Sequence, residues 1–106
     1  MIIAIDLTGE PAVVELAEPE DCKRFHVAVR GGDAAGLAAA LSAAGVGRLL
    51  PSGEAMIDTT AVRRMATSRV SDGWDGEFAA MLEYAGSKGW LDETGASIQA
   101  HVEWGG

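Results

Sequence analysis

The chain has 106 residues, a length that favours one folded domain with a single hydrophobic core. Its net charge of −8 disfavours binding to nucleic acid or to anionic membranes in general, and it permits a basic protein partner. The single cysteine excludes an internal disulfide, and no apolar run approaches the roughly 20 residues needed to span a bilayer. Because no basic leader precedes the first apolar run, we expect a cytoplasmic protein.

Three short strands are predicted in the first third of the chain. Residues 2–7 and 12–17 are apolar runs around a turn that contains Pro11, which predicts a β-hairpin. The acidic stretch from Glu15 to Asp21 is interpreted as a solvated connection, with a docking patch for a basic partner as the alternative. Apolar and polar residues then alternate over 25–30, which predicts a third strand.

Two helices are predicted in the middle of the chain. Asp33 is a suitable N-cap for a helix over 34–44, and Gly45 is a suitable residue to end it in the left-handed conformation. Residues 55–57 form a short apolar run that is a candidate fourth strand. A second, shorter helix near 60–68 is predicted to begin at Asp58 or Thr59.

The last third contains the clearest helix and the clearest strand. Helix 75–88 is predicted from apolar residues at helical spacing, with Asp72 or Asp75 as its cap and Gly89 after its end. Residues 96–104 alternate between apolar and polar and predict a strand. Trp90 and Trp104 are predicted to be core residues, with a ligand platform as the alternative role of the tryptophans.

Together these elements predict an α+β fold in a single domain, residues 1–106. We expect a mostly antiparallel sheet of four or five strands, formed by the N-terminal hairpin, strand 25–30, the C-terminal strand 96–104 and a further short strand. About three helices are expected on one face of this sheet. The opposite face is expected to be wet or covered by a second copy, although Arg30, His101 and Glu103 disfavour a dry homodimer interface.

Histidine chemistry provides the only pattern with plausible catalytic groups. His26 and His101 each lie on the polar side of a predicted strand. If those strands are neighbours, both imidazoles share a sheet face with Glu103, which could orient His101 for proton transfer. A wet sheet face collects such residues in any case, so a solvated surface is the alternative. No cysteine or histidine spacing indicates a metal site.

Two further side-chain groups are candidates. Lys23 and Arg24 could lower the pKa of the Cys22 thiol, although a structural cysteine is the simpler interpretation. Arg63, Arg64 and Arg69 concentrate positive charge in an acidic chain, which suggests an anionic ligand or nucleic acid. Three arginines are fewer than a basic stripe usually needs, so pairing with the chain's own carboxylates is the favoured interpretation of this group. Arg30, Arg63 and Arg64 are the weak candidates for ligand binding.

Three familiar motifs fail on inspection. The turn over 31–36 lacks the middle glycine of a dinucleotide fingerprint and the lysine of a P-loop, so we expect a plain turn with a helix cap. The acidic group around Asp72 has Trp74 where a calcium loop needs its second oxygen ligand. Ser87 lies at the end of a helix, in a sequence too short for a nucleophile elbow.

These observations predict a non-catalytic interaction or accessory module with no cofactor. The expected partner is a protein or a second copy of the chain, not a membrane, and nucleic acid is disfavoured. The alternative is a small enzyme or ligand-binding domain that uses His26, His101 and Glu103. A regulator that contacts nucleic acid through Arg63 and Arg64 is the third hypothesis.

Overall fold

The structure is a computed structural model that describes residues 1–105, so position 106 of the predicted domain lies outside the described residues. Within residues 1–105 the chain forms six strands and three helices. Their bounds are β1 Ile2–Asp6, β2 Val13–Ala17, β3 His26–Arg30, α1 Ala34–Ala44, β4 Gly47–Leu49, β5 Ala55–Asp58, α2 Thr59–Ala66, α3 Trp74–Ser87 and β6 Ser97–Gly105.

All six strands belong to one curled, mixed sheet in the order β2-β1-β3-β6-β5-β4. The predicted hairpin is present as an antiparallel β1–β2 pair, and β5 and β6 are also antiparallel. In contrast, β1 and β3 are parallel, and so are β3 and β6. The α+β class is therefore confirmed, whereas the four- to five-stranded, mostly antiparallel sheet is corrected to a six-stranded mixed one.

The capping residues of α1 and the N-cap of α2 are those that the sequence predicts. The Asp33 carboxylate accepts a hydrogen bond from the Gly36 amide at 2.9 Å, and Gly45 ends α1 with a φ of 68°. The Val46 amide then donates to the Leu41 carbonyl at 3.1 Å, which closes the helix. Asp58 caps α2 by accepting from the Thr60 amide at 2.8 Å.

The three helices pack on one face of the sheet and share one core with it. Alternate strand residues such as Ile3, Val27 and Ile98 are buried in the same cluster as Leu37 of α1. The cluster also includes Phe78 of α3. Helix α1 contacts both edge strands, β2 and β4, while α2 contacts β2 and β5, so the sheet curls around these two helices.

Trp74 is the tryptophan that the core contains, and the prediction that Trp90 and Trp104 are core residues is wrong. Trp74 is 3% exposed, whereas Trp90 is 42% and Trp104 is 49% exposed. Trp104 lies in the last part of β6, where β3 pairs with it but β5 no longer does. Trp90 lies beyond the end of α3, in the connection to β6.

The start of α3 also differs from the prediction. Gly73 occupies the N-cap position, and no side chain makes a capping hydrogen bond there, so neither Asp72 nor Asp75 is the cap. The end of the helix agrees with the sequence pattern, since Gly89 has a φ of 78° and the Trp90 amide donates to the Ala85 carbonyl. Strand β4 has no counterpart among the predicted elements.

Candidate functional site

A solvent-accessible groove of about 880 Å³ lies beside α3, where the sheet is incomplete. Strand β3 pairs with β6 only from His101 onward. On the same side, the first half of β6 has an isolated bridge from Leu91 to Ile98. We call this opening the α3 groove, and it is lined by residues 20–25, Glu54, Glu77, Ala80, Met81, Tyr84, Ala85, Trp90, Ile98, Gln99 and His101.

An exposed aromatic pair stands at the α3 groove. The rings of Tyr84 and Trp90 meet edge to face, with centroids 6.0 Å apart and planes at 67°. Tyr84 is 58% exposed and Trp90 is 42% exposed, so both rings offer free surface to a ligand. Because large aromatic side chains dominate binding interfaces, this pair is the strongest feature of the site.

The position of Trp90 is fixed by its backbone and by the turn that follows it. Its amide donates to the Ala85 carbonyl at 2.9 Å, and its carbonyl accepts from the Gln99 amide at 2.6 Å. In the next turn, the Asp92 carboxylate accepts from the Ala96 amide at 3.0 Å. Partial desolvation raises the pKa of Asp92, but hydrogen bonds from Thr94 and from the turn backbone lower that pKa by more. The backbone of Trp90 is therefore fixed both by the end of α3 and by the start of β6.

The apolar floor and the polar rim of the α3 groove come from different parts of the chain. Phe25 and Met81 are half-buried and contact the hydrophobic core, and Ile98 is buried at the base. Four carboxylates reach the groove, from Glu20, Asp21, Glu54 and Glu77, against two cations, Lys23 and Arg24. The side-chain amide of Gln99 donates a hydrogen bond to the Glu54 carboxylate and orients it.

Cys22 lies in the α3 groove as a half-buried free thiol. Burial raises its pKa, and the nearby Glu77 carboxylate raises it further. The hypothesis that Lys23 and Arg24 activate this thiol is therefore wrong, because a thiol with a raised pKa carries less of the reactive thiolate.

The two histidines lie side by side, as the sequence hypothesis required. His26 of β3 and His101 of β6 are in register as neighbours on parallel strands. Glu103 pairs with His26, with 3.4 Å between Nε2 and the carboxylate oxygen, so the imidazole that this carboxylate contacts is that of His26. His101 lines the α3 groove, whereas His26 lies outside its lining. A catalytic role of these residues stays a prediction.

The arginine candidates are divided between the two faces of the sheet. Arg30 ends β3 on the face without helices, next to Asp6 of β1. Arg63 belongs to α2 on the other face, and its guanidinium lies 4.9 Å from the centre of the Phe78 ring. Within residues 1–105, His26–Glu103 is the only ion pair within 4.0 Å, so the predicted pairing of Arg63, Arg64 and Arg69 with carboxylates is wrong. These side chains remain exposed on and after α2.

The face of the sheet without helices carries another concave surface. Its centre consists of small residues, with Ala4 of β1 beside Ala28 of β3. Glu15 and Glu103 flank these alanines, each in register with one of them. The surface is shallow and carries charge on both sides.

The glycine turn before α1 has a structural role. Gly31 and Gly32 have φ angles of 73° and 69°. A Cβ atom on Gly32 would lie 2.5 Å from a methyl carbon of Leu7, so the turn packs closely against the first hairpin. With Asp33 as the helix cap, the residues fit the plain turn that the sequence predicts.

Sequence reasoning missed the α3 groove itself. Tyr84 provided one usable signal, because it falls outside the apolar face that Phe78, Met81, Leu82 and Ala85 form on the helix. A large aromatic residue on the wet side of an amphipathic helix marks a possible contact surface. The other lining segments come from residues 20–25, 54 and 98–101, and no local pattern indicates that they meet.

In the described part of the chain, no helix has both the length and the apolar character required to cross a bilayer. Across residues 1–105, no group of three or more His, Cys, Asp and Glu residues has a geometry that could hold a metal ion. Comparison of the chain with protein-family models, curated proteins and solved structures found no match.

Proposed function

We propose that this chain is a non-catalytic binding module that receives a short segment of a protein partner in the α3 groove. The observation that carries the proposal is the Tyr84–Trp90 pair, whose rings meet at the groove and are about half exposed. Residues of this kind are the usual anchors of protein–protein contacts, since a rigid ring buries a large area at small entropic cost.

The shape and lining of the groove support a short segment as the occupant. Its volume of about 880 Å³ accommodates a few side chains and lies near the upper end of ordinary ligand sites. Phe25, Met81 and Ile98 offer an apolar floor, and Gln99 and Glu54 offer hydrogen-bonding groups at its border. A peptide with one or two apolar side chains would satisfy both parts of this surface.

Selection from a random heptapeptide library tests the proposal. Peptides selected on the intact chain are synthesised, and their dissociation constants are measured by calorimetry for the chain and for two variants. We expect Trp90→Ala to weaken binding about tenfold or more, which corresponds to about 1.4 kcal/mol.

Trp104→Ala is the matched control, because Trp104 has nearly the same exposure but does not line the groove. We expect this variant to bind the selected peptides within about twofold of the affinity of the unchanged chain, because surface substitutions away from a contact have small effects. A library that yields no peptide sensitive to Trp90→Ala would contradict the proposal.

A small enzyme is the second candidate function, and the register of His26 with His101 favours it. Glu103 holds His26 at 3.4 Å, and the second imidazole lies on the adjacent strand at the groove. This arrangement would supply a general base and a neighbouring proton donor. Hydrolysis of p-nitrophenyl acetate, measured for the chain and for His26→Gln and His101→Gln, tests it. Equal rates in all three proteins would rule out catalysis of this reaction by the pair.

A second copy of the chain is the alternative partner, and it would bind at the sheet face around Ala4 and Ala28. Arg30, Glu15 and Glu103 border this face, so a second copy would bury charge unless these residues pair across the interface. Sedimentation at two protein concentrations tests self-association, and an unchanged monomer mass would contradict it.

We also propose a cytoplasmic location, supported by the single unpaired thiol of Cys22.

A further inference from the structure

We infer that the segment bound in the α3 groove carries a cationic side chain, arginine or lysine, next to an apolar residue. This inference rests on the proposed function and adds the chemistry of the partner. The cation would lie against the Trp90 and Tyr84 rings, in a groove that the Glu54 and Glu77 carboxylates also line.

The charge of the α3 groove is complementary to such a segment. Glu20, Asp21, Glu54 and Glu77 contribute four carboxylates to its lining, against the cations of Lys23 and Arg24. The acidic connection after β2 supplies Glu20 and Asp21, so this stretch lies beside an aromatic platform in the folded chain. The excess of negative charge agrees with the net charge of −8 and attracts a basic segment before contact.

An internal contact indicates that the aromatic pair accepts a cation. The Lys88 ammonium lies 5.5 Å from the centre of the Tyr84 ring, within the range of a cation–π interaction. Lys88 is not among the residues that line the groove, and it occupies one ring of the pair. The positive charge of Lys88 near Tyr84 would oppose a second cation there, whereas no lysine or arginine within residues 1–105 lies over the Trp90 ring.

Negative charge also acts on the Cys22 thiol, which lines the groove. After burial, the charge of Glu77 is the largest cause that raises the pKa of Cys22, and Asp21 and Glu20 act in the same direction against the opposing charge of the N-terminal amino group. Negative charge raises a thiol pKa because it opposes formation of the thiolate. The acidic residues of the groove therefore act on at least one other side chain of its lining.

The test extends the peptide selection with a change of one charge. In each selected peptide that loses affinity with Trp90→Ala, arginine is replaced by citrulline, which has nearly the same shape but no charge; lysine is replaced by norleucine. We expect each replacement to weaken binding about tenfold at low salt, with a smaller effect at high salt.

Variants of the chain locate the contact. We expect Glu54→Gln and Glu77→Gln to weaken binding of the arginine peptide about twofold to fivefold, and Lys88→Gln to strengthen it by a similar factor. Glu83→Gln is the matched control, because Glu83 is an exposed carboxylate of α3 outside the groove lining, and it should have no effect.

The outcomes separate this inference from the proposed function. Selected peptides that depend on Trp90 but lack a cation, or that bind equally well with citrulline, would overturn the inference and leave the binding function intact. A library without any peptide that depends on Trp90 would overturn both. Equal effects of Glu77→Gln and Glu83→Gln would show that net charge, not a contact in the groove, determines the preference, and would also overturn the inference.

Discussion

Trp74 stacks on Phe78 with their ring centroids 4.7 Å apart and their planes within 8° of parallel. Both rings are buried, and the Trp74 indole also donates to the Pro19 carbonyl at 2.6 Å, which ties the start of α3 to the connection after β2. We expect Trp74→Ala to lower the free energy of unfolding by about 3–5 kcal/mol, because it leaves a large cavity in the core. Urea denaturation followed by circular dichroism measures the change.

Trp104→Ala is the control for that experiment. The Trp104 side chain is 49% exposed, and only one strand pairs with β6 at that position. We expect a loss of less than about 1 kcal/mol. A loss in this control as large as in Trp74→Ala would mean that the two indoles contribute equally to the fold, contrary to their burial.

Features that depend on a few neighbouring residues could be predicted from the sequence. Asp33 and Gly45 define α1 because a carboxylate satisfies free amides at its start and glycine adopts the left-handed conformation after its end. Strand β6 was predictable for a similar reason, since its alternation reflects one buried and one exposed face. The register of His26 with His101 needed the additional condition that their strands are neighbours.

Features that depend on distant pairings could not be predicted. The parallel pairing of β3 with β6 joins residues more than 70 positions apart in the sequence, and nothing local specifies its direction. The exposure of Trp90 depends on which distant segments fold next to it, which hydrophobicity alone does not reveal. The α3 groove is a consequence of both features, so its aromatic platform appeared only in the folded chain.

Gly47 is expected to be irreplaceable at the start of β4. A Cβ atom at this position would lie 2.1 Å from the Met56 carbonyl oxygen, and backbone atoms of β5 cannot move aside without breaking the β4–β5 pairing. We expect Gly47→Ala to lower the free energy of unfolding by about 2 kcal/mol or more, as strain in a packed region does. Thermal or urea unfolding measures it.

Gly73→Ala is the matched control for Gly47→Ala. A Cβ atom on Gly73 would meet nothing within 4 Å, and its φ of −81° suits any residue. We expect the free energy of unfolding to change by less than about 1 kcal/mol, because alanine restricts the unfolded chain but is less favourable than glycine at an N-cap. Equal losses in the two variants would contradict the close approach of β4 and β5 at Gly47.

The Asp92 turn is expected to make stability depend on acidity. Hydrogen bonds from Thr94 and the turn backbone outweigh desolvation, so the pKa of Asp92 is lower in the folded chain than in the unfolded chain. Its stabilising contribution is therefore complete above the unfolded pKa of about 3.9, and it is lost as pH falls through the folded value. Unfolding measured between about pH 2 and pH 6 should show a smaller pH dependence in Asp92→Asn.

Glu93→Gln provides the comparison for the Asp92 turn, because Glu93 is an exposed acid next to Asp92 and does not appear among the side chains that hold the turn. We expect its pH dependence to match that of the unchanged chain. An Asp92→Asn curve parallel to the unchanged one would show that the carboxylate does not anchor the turn that leads from Trp90 into β6.

Cys22 is expected to react slowly with alkylating reagents near neutral pH. Burial and the charge of Glu77 raise its thiol pKa, so less thiolate is present than in an ordinary cysteine at the same pH. The rate of iodoacetamide alkylation should therefore rise at higher pH in the folded chain than in the chain unfolded in urea. Steric protection would lower the alkylation rate at every pH without moving the pH at which the rate is half of its maximum. A shift of this pH midpoint therefore reports the raised pKa of the thiol.

Glu77→Gln should shift the pH midpoint of Cys22 alkylation down, whereas Glu83→Gln should leave it in place. A folded chain with the same midpoint as the unfolded chain would show that the carboxylates of the α3 groove do not act on the thiol.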